Sequence, residues 1–348
     1  ILQGLYGIMK KADRYIRFAF LTGVTRYGKL GIFSAANNPQ DISMNDDFAS
    51  ICGITEEELR RYFDAEVEVF AKKQHVDKDA MYEMLKQKYD GYHFSSNSED
   101  IYNPFSLLNS LKTRSLSNYW FATGTPTYLV TILKKKSYDL SKFSRGVTVM
   151  VESMTSFGNG DGSVIAALYQ SGYLTIKSYD GKKYYRLGFP NEEVEDGFVQ
   201  CLMEEYTVTT SGEIDEDLQH LGSLISMGDI NGFMTQIQQI MSQIPFESNE
   251  PKLIEANFRN MLYLMIRSTG YKVLVEYPVL GGRIDVFFQT EQFAYVIECK
   301  RDQSAAEALA QIDEKKYADK LSVQNKKIVK IGVNFSTEER NLTEWKEG

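Results

Sequence analysis

Three charged residues carried on two otherwise apolar segments offer the clearest chemistry in this chain. Asp285 lies in RIDVFF, and Glu298 and Lys300 end FAYVIECK; the polar turn QTEQ joins the two segments. On a strand, residues i and i+2 share a face, so Glu298 and Lys300 project together and Cys299 points the other way. Charges brought into or beside a core are costly unless they are paired or bind a metal. Carboxylates from adjacent strands can share a hard divalent cation such as Mg2+ or Mn2+, and the main-chain carbonyl of Cys299 is a third oxygen ligand. Lys300 is placed to orient an attacking water or to neutralise charge developing on a phosphate. These parts suit phosphodiester hydrolysis. Glu255, on the preceding helix, adds a carboxylate, and Gln311, on the following helix, a polar contact to metal or phosphate. The plainer alternative is a buried ion cluster that ties two strands together, with Glu255 an ordinary helix-surface acid and Cys299 a small core residue.

Residues 252–348 must position this set, and their pattern alternates. A helix (KLIEANFRNMLYLMIRSTG) stops at Gly270, the strand YKVLVEYPVL turns at Gly281-Gly282, and the two charged strands follow. A second helix, SAAEALAQIDEKKYADKL, has Ser304 as N-cap, and KIVKIGVNFS is a last strand. The order α-β-β-β-α-β predicts a compact α/β unit with a central mixed sheet over residues 249–348.

Upstream, FAFLTG reads as a short apolar strand, and residues 41–90 read as helical. Thr55-Glu56-Glu57-Glu58 forms a capping box for one helix, TEEELRRYFDAEVEVFAKK; Asp77 or Asp79 caps the next, and Pro104 sits in a first helical turn. His75 and His93 are isolated and read as solvated or packing residues. In residues 163–207 the helix SVIAALYQSG precedes two alternating segments around Asp180-Gly181, a hairpin signal, and then NEEVEDGFVQCLMEEY. Helix, hairpin, helix resembles a winged-helix arrangement, whose plainer reading is a packing module. Two amphipathic helices follow over 212–246, then the linker ESNEP. The expected division is 1–162, mostly helical; 163–248, winged-helix-like and helical; and 249–348.

The chain has 348 residues with 43% hydrophobic and 25% charged content, ordinary for a globular protein of several domains. No apolar run approaches a membrane span, so no membrane partner is expected. Cys52, Cys201 and Cys299 are scattered, without metal-ligand or disulfide spacing, which fits a reducing cytoplasm. Of 39 basic and 47 acidic residues, 15 and 15 lie in 249–348, so the whole net charge of −8 resides upstream. Bulk positive charge for sequence-independent nucleic-acid binding is absent. The chain opens on Ile1 inside a helical pattern and reads as a fragment of a longer protein.

One near-motif competes. Gly23-Val24-Thr25-Arg26-Tyr27-Gly28-Lys29 fits G-x-x-x-x-G-K, but Leu30 stands where a phosphate loop needs a Ser or Thr for magnesium. An ordinary strand end and loop is the alternative.

Asp285 followed by Glu298-x-Lys300, within α-β-β-β-α-β, resembles the PD-(D/E)xK nuclease superfamily, with Ile284 where the name has proline. Gln311 and Tyr317 resemble the Gln- and Tyr-bearing helix of many members. The strings FLTGVTRYGKLGIFS, NNPQDIS, CGITEEEL, YDGYHFS, YNPFSLLNSL, NYWFATGTPT, QSGYLTIK and LGFPNEEV resemble the AAA-ATPase-like family of gut and anaerobic bacteria. In that family part of an ATPase domain precedes such a nuclease domain. The resemblance implies a restriction-endonuclease-like fold after an ATPase-like remnant, and Mg2+ or Mn2+ as cofactor. It implies a nucleic-acid partner, DNA foremost, and leaves a homodimer open. It places GVTRYGK on a later strand of the ATPase core, with Thr25 and Arg26 near a nucleotide and the phosphate loop upstream, so no complete ATP site is expected here. A non-catalytic interaction module on the same fold, or an NTP-driven switch, are the competing readings.

Overall fold

The computed structural model describes residues 8, 11–23, 40–121, 127–136, 138–154, 161–207, 211–244, 251–279, 282–317, 321 and 325–348. Val24 to Lys29 of the near-motif and Glu247 to Glu250 of the linker fall outside them, and Pro251 of the linker opens a helix. The chain forms two compact units, one of residues 1–125 with 146–198 and one of residues 126–145 with 199–348.

The first unit begins with irregular chain. Phe18 to Gly23 are not a strand: they are exposed, and among the described residues no strand pairs with them. An apolar segment without a ladder partner has nothing to hold it extended. Helices α1 (Glu56–Tyr62), α2 (Asp64–Gln74), α3 (Lys78–Tyr89) and α4 (Pro104–Thr113) follow. Thr55 and Glu58 close the predicted capping box, Asp77 caps α3, and Pro104 opens α4. The single helix expected over 55–73 breaks at Phe63 (φ −126°, ψ 12°). The break lets Phe63 pack beside Leu59, Val67 and Phe70 on a core shared with Tyr82, Leu85 and Tyr102.

The chain then makes α5 (Thr127–Lys135) and α6 (Lys142–Arg145), which belong to the second unit, and returns to the first. Strand β1 (Val147–Met150), α7 (Val151–Met154), α8 (Asp161–Gln170), β2 (Thr175–Tyr179) and β3 (Tyr184–Gly188) give an antiparallel sheet of order β1-β3-β2. The predicted hairpin forms where Asp180-Gly181 lies. Asp180 accepts hydrogen bonds from the amides of Lys182, Lys183 and Tyr184, and Gly181 takes φ 74°. Helix α9 (Glu192–Tyr206) follows.

In the second unit, α10 (Ser211–Met227), α11 (Ile230–Ser242) and α12 (Pro251–Ser268) precede a mixed sheet. Its strands are β4 (Val273–Val279), β5 (Gly282–Gln289), β6 (Phe293–Arg301), β7 (Lys327–Ser336) and β8 (Asn341–Glu347), side by side in that order. β6 and β7 run parallel, joined through α13 (Ala305–Glu314), and the other pairs are antiparallel. The alternating apolar residues fill two faces. Phe287, Ala294 and Val296 meet Leu309 and Ile312 of α13. On the other face Phe288 and Tyr295 stack at 4.6 Å against Phe233 of α11, and the Tyr295 hydroxyl donates to Ile225 O. Ser304 caps α13 as expected, and Glu307 completes a capping box with it. The helix ends seven residues earlier than its apolar pattern, Glu314 instead of about Leu321, where Lys316 turns left-handed (φ 49°).

Candidate active site

The chemistry-bearing residues meet where the ladders of β4, β5 and β6 lapse. Pairing of β5 with β6 ends at Val286↔Ile297, so Asp285 and Glu298 stand opposite each other one step beyond it. Pairing of β4 with β5 runs on both sides of Glu276 and Asp285 but omits them. The freed main-chain donor is recaptured by a side chain: Cys299 N–H donates to Asp285 Oδ2 at 2.9 Å. Asp285 thereby closes the gap that places it there.

Glu298 is 3% exposed. Gln311, on α13, donates from Nε2 to Glu298 Oε1, and its Oε1 accepts from Lys300 Nζ. Lys300 Nζ also lies 3.8 Å from Glu298 Oε1. The second oxygen, Glu298 Oε2, is buried and has no hydrogen-bond partner among the described residues. Burial and then the Asp285 charge push the Glu298 carboxyl up to about 8. The Lys300 charge, the Asp285 main-chain amide and the Arg283 charge act in the opposite direction. Asp285 is also raised, by burial, against the Cys299 amide and the charges of Lys300, Arg259 and Arg283. The Cys299 thiol is pushed well up by burial, so it is an inert neighbour.

These groups line a cavity of about 490 Å3. Asp285, Glu298, Cys299, Lys300, Gln311 and Tyr317 all face it, together with Arg259, Glu276, Arg283 and Arg301. The structure thus brings five of the six residues singled out from sequence, and Tyr317, to one place. Tyr317 sits past the end of α13 and not on it; its buried hydroxyl accepts from Arg283 N at 3.4 Å. Glu255 lies on α12, and its side chain is outside the described residues. The arginines and Glu276 were missed. Arg283 is two positions before Asp285, a same-face spacing that sequence does show. Glu276 and Arg259 are joined to it only across elements.

No group of three His, Cys, Asp or Glu side chains close enough to hold a metal occurs among the described residues. The donor set is nonetheless of the right kind. An orphaned buried carboxylate oxygen facing a second acid is what a hard cation satisfies, and both acids pay desolvation that a cation would relieve. No helix is long and apolar enough to cross a membrane among the described residues.

Residues 253–345 match the PD-(D/E)XK nuclease superfamily, and the mixed five-stranded sheet with its flanking helices is consistent with that fold. The chain is also 30% identical over 349 residues to an uncharacterized protein of Azotobacter chroococcum mcd 1, from the vnfD 5' region. The alignment covers 98% of this chain and 65% of that relative, so the chain spans about two thirds of the relative's length. No solved structure matches.

Proposed function

We propose that the second unit carries a divalent-metal-dependent nuclease site that hydrolyses phosphodiester bonds, with DNA as the substrate. The observation that carries this reading is Glu298 Oε2: a buried carboxylate oxygen without a donor, opposite Asp285, beside Lys300, in an open cavity. Asp285, Glu298 and the Cys299 main-chain carbonyl would hold Mg2+ or Mn2+, which supplies Lewis-acid activation of water and phosphate. The chain's own residues do the rest. Lys300 stabilises negative charge developing on the phosphate and orients the attacking water. Gln311 fixes Lys300 and Glu298 at once, so neither swings on its long side chain. The walls of Phe258, Leu262 and Phe335 limit bulk water around these charges. Glu255 is a further carboxylate on the same helix as Arg259. Residues 1–162 are read, on the strings quoted above, as the C-terminal part of an ATPase-like region that would regulate cleavage.

A second reading has one observation in its favour. Lys300, Gln311 and Glu298 bond one another, as they would in a purely structural cluster on a non-catalytic interaction module. Mn2+ separates the two. The nuclease reading predicts that Mn2+ raises the melting temperature of this chain and that Asp285→Ala abolishes the increase. An identical response in both proteins, or none in either, supports the module.

A further inference from the structure

One carboxylate in the cavity wall is surrounded by three guanidinium groups. Glu276 Oε2 pairs with Arg145 at 2.9 Å. Its Oε1 is shared by Arg259 Nη1 at 3.3 Å and Arg283 Nη2 at 3.4 Å. An Arg fork has five donors and binds best when two of them meet two oxygens of one anion. Here two forks divide a single oxygen at long range, and Arg259 Nε is buried with no partner among the described residues. Both guanidiniums are held in place while much of their donor capacity is unused. The Glu276 main chain is unusual too: it is left-handed (φ 51°) inside β4, at the position facing Asp285 where the ladder lapses. A non-glycine residue in that region is strained, and such strain gathers at functional sites. The side chain carried at this left-handed position meets three arginines.

We propose that Arg259 and Arg283 form a phosphate-binding subsite for a nucleic-acid strand lying in this cavity, at a phosphodiester neighbouring the one that faces Asp285 and Glu298. Glu276 is the positioning residue: its Oε1 holds the two guanidiniums side by side until phosphate oxygens, which outnumber that one shared oxygen, displace it. This rests on the nucleic-acid reading above and adds to it a defined anion site and a built-in competitor. Arg145 keeps Glu276 tethered through Oε2 when Oε1 is released.

The test is binding of short labelled DNA and RNA duplexes by fluorescence anisotropy over a salt series, in EDTA, with the intact chain. Arg259→Gln and Arg283→Gln should each weaken binding about tenfold and lower the slope of log affinity against log salt by roughly 0.7–0.9, the value of one phosphate contact. Arg283→Lys should keep the slope and lose affinity, because charge survives and the fork does not. Glu276→Gln should tighten binding, since the competing charge is gone; a merely structural glutamate would weaken it or leave it unchanged. Circular dichroism checks folding, and Arg283, 57% exposed, is the variant least bound to the core. Wild-type slopes in both arginine variants, or no binding of either duplex by wild type, overturn the subsite. Metal-dependent cleavage is read separately: reduced slopes without cleavage keep the subsite and remove the nuclease, and unchanged slopes with cleavage do the reverse.

Discussion

Each unit of this protein buries a glutamate, and the two have different fates. Glu193, at the start of α9, is fully buried, and one oxygen accepts the Trp120 amide at 2.7 Å. Burial raises its carboxyl, against the Ser106 hydroxyl and that amide. Glu298 is as deeply placed and is raised as well, but its neighbours are a second acid, a lysine and a cavity. Burial, a raised carboxyl and one carboxylate oxygen without a hydrogen-bond partner among the described residues are therefore shared by a joint that ties a loop to a helix and by a site able to do chemistry. What distinguishes the site is like charge against like charge next to open space, an arrangement that structure alone does not reward.

The comparison breaks most sharply at cleavage. Glu298→Gln and Asp285→Asn should each lower metal-dependent turnover on the order of 10²–10³-fold, read from initial rates. Glu193→Gln should leave turnover unchanged. Stability should show the reverse preference. Glu193→Ala removes the hydrogen bond to the part-buried Trp120 amide, at a cost of about 1 kcal/mol in denaturant unfolding. If Glu193→Ala instead lowers turnover with stability intact, the distinction drawn here fails.

pH sharpens it further. The Glu298 carboxyl rises from its ordinary 4.5 to about 8 on folding, so the folded chain holds a proton that the unfolded chain has released. The stability tied to that proton is complete below about pH 4.5 and is lost as pH climbs towards about 8. In EDTA, thermal stability should decline across that window, and Glu298→Gln should flatten the decline. A divalent ion favours the ionised form and should stabilise most at the upper end. The smallest effects belong to the helical half. Thr55→Ala removes a capping box worth about 1 kcal/mol. Lys72→Gln removes an exposed pair with Glu68, worth a few tenths, roughly 0.3–0.5 kcal/mol.

Local rules made much of this readable from sequence. Thr55 with Glu58, Ser304 with Glu307, and Asp180 before Gly181 place helix starts and a turn within four residues of chain. The period of two put Glu298 and Lys300 on one face. What escaped needs partners far apart in the chain. Strand β8 carries charges at Glu344, Lys346 and Glu347 and buries only Leu342 deeply, so its pattern resembles a polar tail until β7 pairs with it. Strand β1 is four residues long and acquires its identity from β3. Glu276 reads as one more acid on a strand, because neither its left-handed backbone nor its ties to Arg145, Arg259 and Arg283 follow from neighbours in sequence. Gln311 was readable because it is a polar residue on the helix that follows the charged strands, and the resemblance to a known pattern reinforced it.

The central claim is tested most directly by incubating the intact chain with DNA and RNA substrates, single-stranded, duplex and branched, with Mg2+, Mn2+ or EDTA, beside Lys300→Ala. The account predicts divalent-dependent cleavage of DNA by the wild type, none in EDTA, and a loss on the order of 10²–10³-fold in Lys300→Ala with its melting temperature kept. Cleavage of no substrate under any metal, or equal cleavage by Lys300→Ala, would contradict it.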